Sequence, residues 1–313
     1  MKRCLYLSLL FFVFITARAS GENDKQGIIR IKSVKFALPL VEQWISGYAK
    51  VNPDARIVIV DKDAAAAAEE IDIQLLISDD VQKDSLHSNH FYSSVGRYAI
   101  LPIAGKNNVL LNELNKKKLN SKRLKELFFE KDFADDDYDE PTKDKYNATV
   151  YSGYNSSSVT QPFAVHFGYE PSNVKGKKIS GDDIYLINAV QKDTTGVSFN
   201  NLNYIFDLNS RQLKKEIVIL PLDLKKEYNE ILAESNLDKL IGLLEDKGIE
   251  LIPVEEISFV SQNHVNPEVK NFLQWVLSEG QAYNHQFGFL NLDTKTLNRQ
   301  KEQVETHLFT YNY

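Results

Sequence analysis

Along the chain, hydrophobic positions switch repeatedly between a period of two and a period near 3.6. From Gly27 the β-branched run IIRIKSV gives way to Val41, Trp44, Ile45 and Tyr48 at helical spacing, then to ARIVIV and IDIQLLI. Short apolar runs separated by a helical stretch read as a β-α-β order, which favours a parallel sheet covered by helices. The run YAILPIA at 98–104 predicts a further strand, and Asn120 or Ser121 stands where an N-cap is wanted before the amphipathic LNSKRLKELFFEKDF.

The acidic stretch 132–147, DFADDDYDEPTKDKYN, carries almost no aliphatic residue and reads as a surface loop. It lacks the glycine and closing glutamate of a standard calcium-binding loop. Beyond it the alternation restarts, with ATVYSGY as a strand, helices from Val159 to about Gly168 and from Asp182 to Lys192, and strands at GVSF and EIVILPL. In the helix predicted over 236–247, Leu237, Leu240, Ile241 and Leu244 share a face. The last predicted helix has Asn266 as N-cap, Pro267 at its first position, Glu268 at its positive end and Gly280 as stop. Val269, Phe272, Leu273, Val276 and Leu277 fall on one face of it. Two α/β units in succession suggest two lobes, and no repeat of solenoid length is present.

Composition sharpens this picture. A chain of 313 residues with 43% hydrophobic and 26% charged residues can bury a core in each of two domains. At the N-terminus, Lys2 and Arg3 precede the apolar run Leu5 to Ile15, and Ala17, Ala19 and Ser20 offer a cleavage point, the pattern of a secretory signal peptide over residues 1–20. The run is too short for a membrane span. The single cysteine, Cys4, lies inside this segment, so the processed chain has no disulfide, thiolate chemistry or cysteine-bound metal. Losing Lys2, Arg3 and Arg18 takes the formal charge from −6 to about −9, which opposes nucleic acid and anionic lipid as partners.

Four collinear stretches carry a family resemblance. NPEVKNFLQWVLSEGQAYNHQFGFLNLD at 266–293 resembles the C-terminal signature of solute-binding proteins of the phosphate ABC-importer family, in which a helix leads to a glycine-aromatic turn and a final short strand. FALPLVEQWISGYAKVNPDARI at 36–57, LNSKRLKELFFEK at 119–131 and DDIYLINAVQKDTTGVSFNNLNY at 182–204 are similar to other parts of that family, in the same order. The resemblance implies an α/β, two-lobed periplasmic-binding-protein-like fold with a central cleft and a discontinuous first lobe: residues 21–106 plus 255–313, then 107–254 for the second lobe. It further implies a periplasmic protein with a small anion such as phosphate as ligand, an ABC permease in the inner membrane as partner, and neither cofactor nor metal.

The resemblance also points to site residues. In the family an arginine and then Ser-Gly-Thr at a helix start hold the phosphate through hydroxyls and backbone N–H groups. Here Gly153 falls at the arginine, and Ser157, Ser158 and Val159 at the Ser-Gly-Thr, with Thr160 one position later. The first-lobe loop is SVKF, giving Ser33 and Lys35, and the loop after the third strand gives Ser78 and Asp79. Asp79 would accept a hydrogen bond from a protonated phosphate and repel a fully ionised anion. Residue by residue, the serine run is equally a helix cap and turn.

Other constellations say less. His87 and His90 have HxxH spacing in a polar loop with no further metal ligand nearby. Arg97 precedes a strand and is positioned to reach the cleft or an acidic neighbour, and Asn147 and Asn155 sit in N-x-S/T sequons. No G-x-S-x-G, P-loop or H-E-x-x-H occurs, so no nucleophile–base set supports an enzyme. The rival expectation is an interaction or adhesion protein that keeps the fold and has lost the small-molecule site.

Overall fold

The computed structural model describes residues 27–60, 71–77, 90–130, 146–155, 158–262 and 267–307. Chain order begins β1 (Ile28–Ser33), a 3-10 turn (Lys35–Ala37), α1 (Leu38–Val51), β2 (Arg56–Ile59), β3 (Ile73–Ile77) and β4 (His90–Gly105). It continues with α2 (Leu111–Lys116), α3 (Ser121–Phe128), β5 (Thr149–Gly153), α4 (Thr160–His166), β6 (Lys177–Ile179), α5 (Ile184–Lys192), β7 (Gly196–Asn201) and α6 (Leu202–Ile205). The pair β8 (Phe206–Asp207) and β9 (Gln212–Leu213) precedes β10 (Ile217–Ile219), α7 (Lys226–Glu234), α8 (Leu237–Asp246), β11 (Val254–Gln262), α9 (Pro267–Val276) and α10 (Thr294–His307).

One nine-stranded sheet runs β2-β1-β3-β11-β4-β7-β5-β6, with β10 also on β4. Strand β4 belongs to both halves. Its residues His90 to Ala99 pair with β11, whereas Ile100 to Ala104 pair with β7 and Ile103 to Gly105 with β10. The chain returns at the same place, where Ile100 donates its N–H to Pro253 (2.9 Å) and Val254 lies opposite Ala99. The half containing β1, β2 and β3 therefore takes strands from both sides of the other half in sequence, a discontinuous arrangement.

Local chemistry explains the helix starts. The Asn120 side chain accepts the N–H of Arg123 (3.0 Å) and that of Asn236 accepts from Lys239 (3.0 Å), each satisfying a first-turn donor. Predicted cap Asn266 lies outside the described residues. Each half has its own aromatic core. Trp44, Phe259 and Phe272 pack in the first half, and Phe128, Phe163 and Phe199 in the second, where Phe163 stacks on Phe199 at 3.9 Å.

Three expectations need correcting. The sheet is mixed: β1 is parallel to β2 and β3, and β5 to β6 and β7, but β11 and β4 are antiparallel to their partners because they carry the chain between the halves. His90 begins β4 and is not in a polar loop. Its strand looks polar because small hydroxyl residues serve as interior contacts: Ser93 and Ser94 are buried, and Ser94 donates to Glu256 (2.5 Å). The last element is a helix. Leu290 makes a single bridge to Arg97, and Asp293 then accepts the Thr296 N–H (3.0 Å) at the start of α10.

Candidate functional site

In the parallel parts of both halves, strands end on loops that carry the polar residues of interest, the place where open α/β sheets hold ligands. In the first half β1 ends at Ser33 and runs into Lys35 and Phe36; in the second, β5, β6 and β7 end at Gly153, Ile179 and Asn201. The two edges meet. Asn203, just past β7, donates from Nδ2 to the Phe36 carbonyl (2.5 Å), a Cβ at Gly288 would come within 3.1 Å of Asn203, and Phe36 lies against Tyr98 and Phe289.

On the second-half edge the hydrogen bonds form a directed chain. The Gly153 N–H donates to Thr160 Oγ1 (2.8 Å), and Ser158 Oγ donates to Asp183 Oδ1 (2.6 Å). Because the one Ser158 proton is committed to that carboxylate, the 3.2 Å contact between the two hydroxyls has Thr160 as donor. The Val159 N–H donates to Asp183 Oδ2 (2.9 Å), and the Thr160 N–H reaches Ser158 Oγ (3.3 Å). Every proton in the cluster thus flows toward Asp183. Ser158, Thr160 and Asp183 are 3%, 3% and 7% exposed.

The glycine at 153 now has a physical reason. A Cβ there would lie 2.0 Å from Ser158 Oγ and 2.7 Å from Asp183 Oδ1, so no side chain, least of all an arginine, fits without dismantling the cluster. Burial pushes the Asp183 carboxyl up to about 6, against the bonds from Ser158 and Val159 that favour its charge, and Asp182 adds to the rise. Next to it, Asn200 donates to the Asp183 carbonyl (2.7 Å). The Tyr204 phenol is held well above its ordinary value by burial first, then by its hydrogen bond to Asp182 and the charges of Asp182 and Asp183. Two buried polar atoms here, Ser152 Oγ and Asn201 Nδ2, have no protein partner.

Of the residues singled out from sequence, Ser158 and Thr160 come together in this cluster. Ser33 and Lys35 stand on the opposite edge, where the Ser33 hydroxyl donates to the Val34 carbonyl (3.0 Å). Ser78, Asp79, Ser157 and His87 lie outside the described residues. The Arg97 guanidinium donates to the Asn291 carbonyl (2.8 Å), and its charge helps hold Glu245 and Asp293 low. Among the described residues no group of three or more His, Cys, Asp or Glu is placed to hold a metal ion.

Asp183, Asn200, Asn203 and Tyr204 escaped the sequence reading. The Asp182–Asp183 pair at a helix start reads as capping, and Asp182 does accept the Ile184 N–H (3.0 Å). Asp183 instead crosses to a loop 24 residues away in sequence. A groove of about 340 Å³ does exist elsewhere, lined by Ile28, Ile45, Tyr48, Ala55 and Arg56, but it is apolar and sits at the amino ends of β1 and β2, away from these polar edges.

Comparison with known proteins agrees with this architecture. No family model matches the chain, and no curated protein matches its sequence. Among solved structures, it is similar to a Clostridium perfringens protein described as a phosphate ABC transporter substrate-binding protein with bound phosphate. The identity is 14% and the TM-score 0.52, over 85% of this chain and 100% of that one. An ABC-type phosphate transport receptor from Vibrio cholerae matches at 11% identity and TM-score 0.49, over 84% of this chain and 100% of the other. The chain is an α/β protein with the two-lobed, periplasmic-binding-protein-like fold of such substrate-binding proteins.

Proposed function

We propose that this chain is an exported solute-binding protein that captures a small polar solute between the strand ends of its two lobes and passes it to an ABC permease in the inner membrane. The observation that carries this reading is the meeting of two polar, carboxyl-terminal strand edges, bridged by the Asn203–Phe36 hydrogen bond. In this reading lobe one comprises residues 21–106 plus 255–313, and lobe two 107–254. Residues 1–20 are the export signal, and among the described residues no helix is long and apolar enough to cross a membrane. The reading assigns no covalent chemistry to the chain.

Ser33, Lys35, Ser78 and Asp79 from lobe one and Ser157 from lobe two make the direct contacts. Ser158 and Thr160 act by ordering the loop, since their protons are committed within the protein. Of the two ligand classes open from sequence, a small oxyanion such as phosphate or a related polar solute, the second is favoured. Position 153 has no room for a side chain where the resemblance places an arginine, and Asp182 and Asp183 present negative charge on that edge.

Thermal unfolding should be followed against phosphate, sulfate, molybdate, organic phosphates, and uncharged and cationic polar solutes. Solute capture predicts a saturable rise in midpoint with at least one of them, and a weaker rise in Lys35→Ala and Ser157→Ala. Flat curves across the panel at millimolar concentration would count against capture and leave the interaction-protein reading in its place.

A further inference from the structure

We infer that lobe two carries a membrane-docking face: the exposed lysines Lys116, Lys117, Lys118 and Lys122, beside the carboxyl edge of its sheet, seat the protein on an anionic phospholipid surface. The inference rests on reading the chain as an exported carrier that works at a bilayer, and it adds how the carrier is oriented there.

The sequence sets the pattern. Leu114, Leu119 and Leu124 are buried and pin α2, the loop after it and α3 to the lobe, while Lys116, Lys117, Lys118 and Lys122 between them are exposed. From 113 to 125 the cations Lys116, Lys117, Lys118, Lys122, Arg123 and Lys125 stand against a single anion, Glu113. Arg123 reaches Asp223 (3.5 Å) and Lys125 lies over the Tyr169 ring (5.6 Å). Among the described residues the other four make no ion pair.

A second segment fixes where this face lies. Leu119 bridges Leu222, its N–H donating to the Pro221 carbonyl (2.8 Å) and its carbonyl accepting from the Asp223 N–H (2.9 Å). In that segment Asp223, Glu227 and Glu230 offset Arg123, Lys225 and Lys226, so the surplus positive charge belongs to 116–122. Strands β10 and β7 are both antiparallel to β4 and so run the same way. Leu222 follows the end of β10 at Ile219, which puts the lysine segment beside the edge where β7 ends at Asn201. Docking through it turns the cleft edge of lobe two toward the bilayer.

The chemistry of the face selects its occupant. Protein partners are gripped by aromatic and arginine anchors in a desolvated centre, where lysine is depleted. Residues 113–126 include no aromatic residue, and their one arginine is engaged with Asp223. Flexible, strongly hydrated ammonium groups suit a layer of headgroup charge that demands no fixed geometry. The negative net charge of the chain does not prevent this contact. Exposed charges are screened within about 8 Å at physiological ionic strength, so a bilayer touching this face senses the lysines, and the acidic remainder is repelled and turned away.

Vesicle co-sedimentation of the full chain tests the inference, with pure phosphatidylcholine set against an equimolar mixture with phosphatidylglycerol. At low salt at least about tenfold more protein should bind the anionic vesicles, and about 0.5 M sodium chloride should release it. An apolar N-terminal run that inserted by itself would bind both vesicles alike and so drops out of the difference. The triple variant Lys117→Gln, Lys118→Gln, Lys122→Gln should lose most of the excess. Removing the same charge from exposed sites elsewhere, Lys50→Gln, Lys192→Gln, Lys247→Gln, should keep it. If the first variant does not fold, hydrogen exchange of the unaltered protein on anionic vesicles decides: it should slow at 115–123, and slowing confined to other segments overturns the inference. Equal binding to both vesicles, or equal loss in both triple variants, overturns it. So does release by millimolar inorganic phosphate at constant ionic strength, which would mark a single-anion site. Lysine-dependent capture by soluble polyglutamate without vesicle binding would put an acidic protein in place of the bilayer and overturn it as well.

The two readings fail separately. Vesicle binding with a flat solute panel keeps the docking face and removes solute capture. A saturable thermal response to a solute, without vesicle binding, does the reverse.

Discussion

At the scale of single residues, Gly153 and Asp183 are complementary parts of one device. Gly153→Ala would force a Cβ against Ser158 and Asp183, and overpacking of that kind costs about 1–3 kcal/mol; denaturant titration of the variant checks it, and a neutral result would mean the cluster is looser than described. Asp183 also gives a signed pH dependence. Its carboxyl titrates at about 6 in the folded chain, above the ordinary carboxylate value of about 4 in the unfolded one. Between those values the folded state binds more protons, so this residue's contribution to stability falls as pH rises from about 4 to 6 and is constant outside that window. Asp183→Asn should lack that decline, as urea midpoints measured across the range will show. None of this was legible beforehand. The sequence marked 153 as a departure from the arginine of the family it resembles, but the reason lies in a tertiary contact that no local pattern encodes.

At the scale of elements, most of the fold could be read from periodicity. The runs at 28–34, 55–60, 71–77, 148–154 and 216–222 all contain strands, and the helices at α1, α3, α5, α8 and α9 fall where apolar residues recur at helical spacing. What escaped was β11, with its run of glutamates, serines and one glutamine between apolar residues, and the first half of β4, whose buried serines look like loop. The antiparallel pairing of those two strands was hidden for the same reason. Their neighbours also show how the lobes are tied. Arg211, just before β9, donates to the carbonyls of His285 (2.6 Å) and Gln286 (3.0 Å), while Glu245 on α8 accepts from His285 (2.7 Å) and the Asn291 N–H (2.5 Å). Burial opposes the Glu245 charge, but those bonds outweigh it and hold its carboxyl below the usual range. Its depressed value means the contribution is present above the unfolded carboxylate value and disappears as pH falls through the folded one. Glu245→Gln should therefore cost about 1 kcal/mol at neutral pH, since the pair is partly exposed, and the difference from the unaltered protein should vanish in acid. Within lobe two, Phe163 is the central ring, stacked on Phe199 and edge-on to Phe128. Phe163→Ala should lose about 3–5 kcal/mol in denaturant titration.

At the scale of the whole molecule, β4 and β11 join two half-sheets, and the Asn203–Phe36 hydrogen bond ties their strand ends together. The discontinuous first half could not be read from periodicity, which is blind to which strands neighbour one another; the resemblance in 266–293 supplied that expectation. The same resemblance pointed to phosphate; among the described residues at the positions it assigned, the Ser158 hydroxyl and the Val159 N–H donate to Asp183. The most direct test of capture between the lobes is hydrogen exchange with and without the solute that most raises the melting midpoint. Closure on a solute predicts added protection on both edges at once, at residues 33–36 and at 181–184 and 200–204. Protection confined to one lobe, or centred on the apolar groove beside β2, would contradict it.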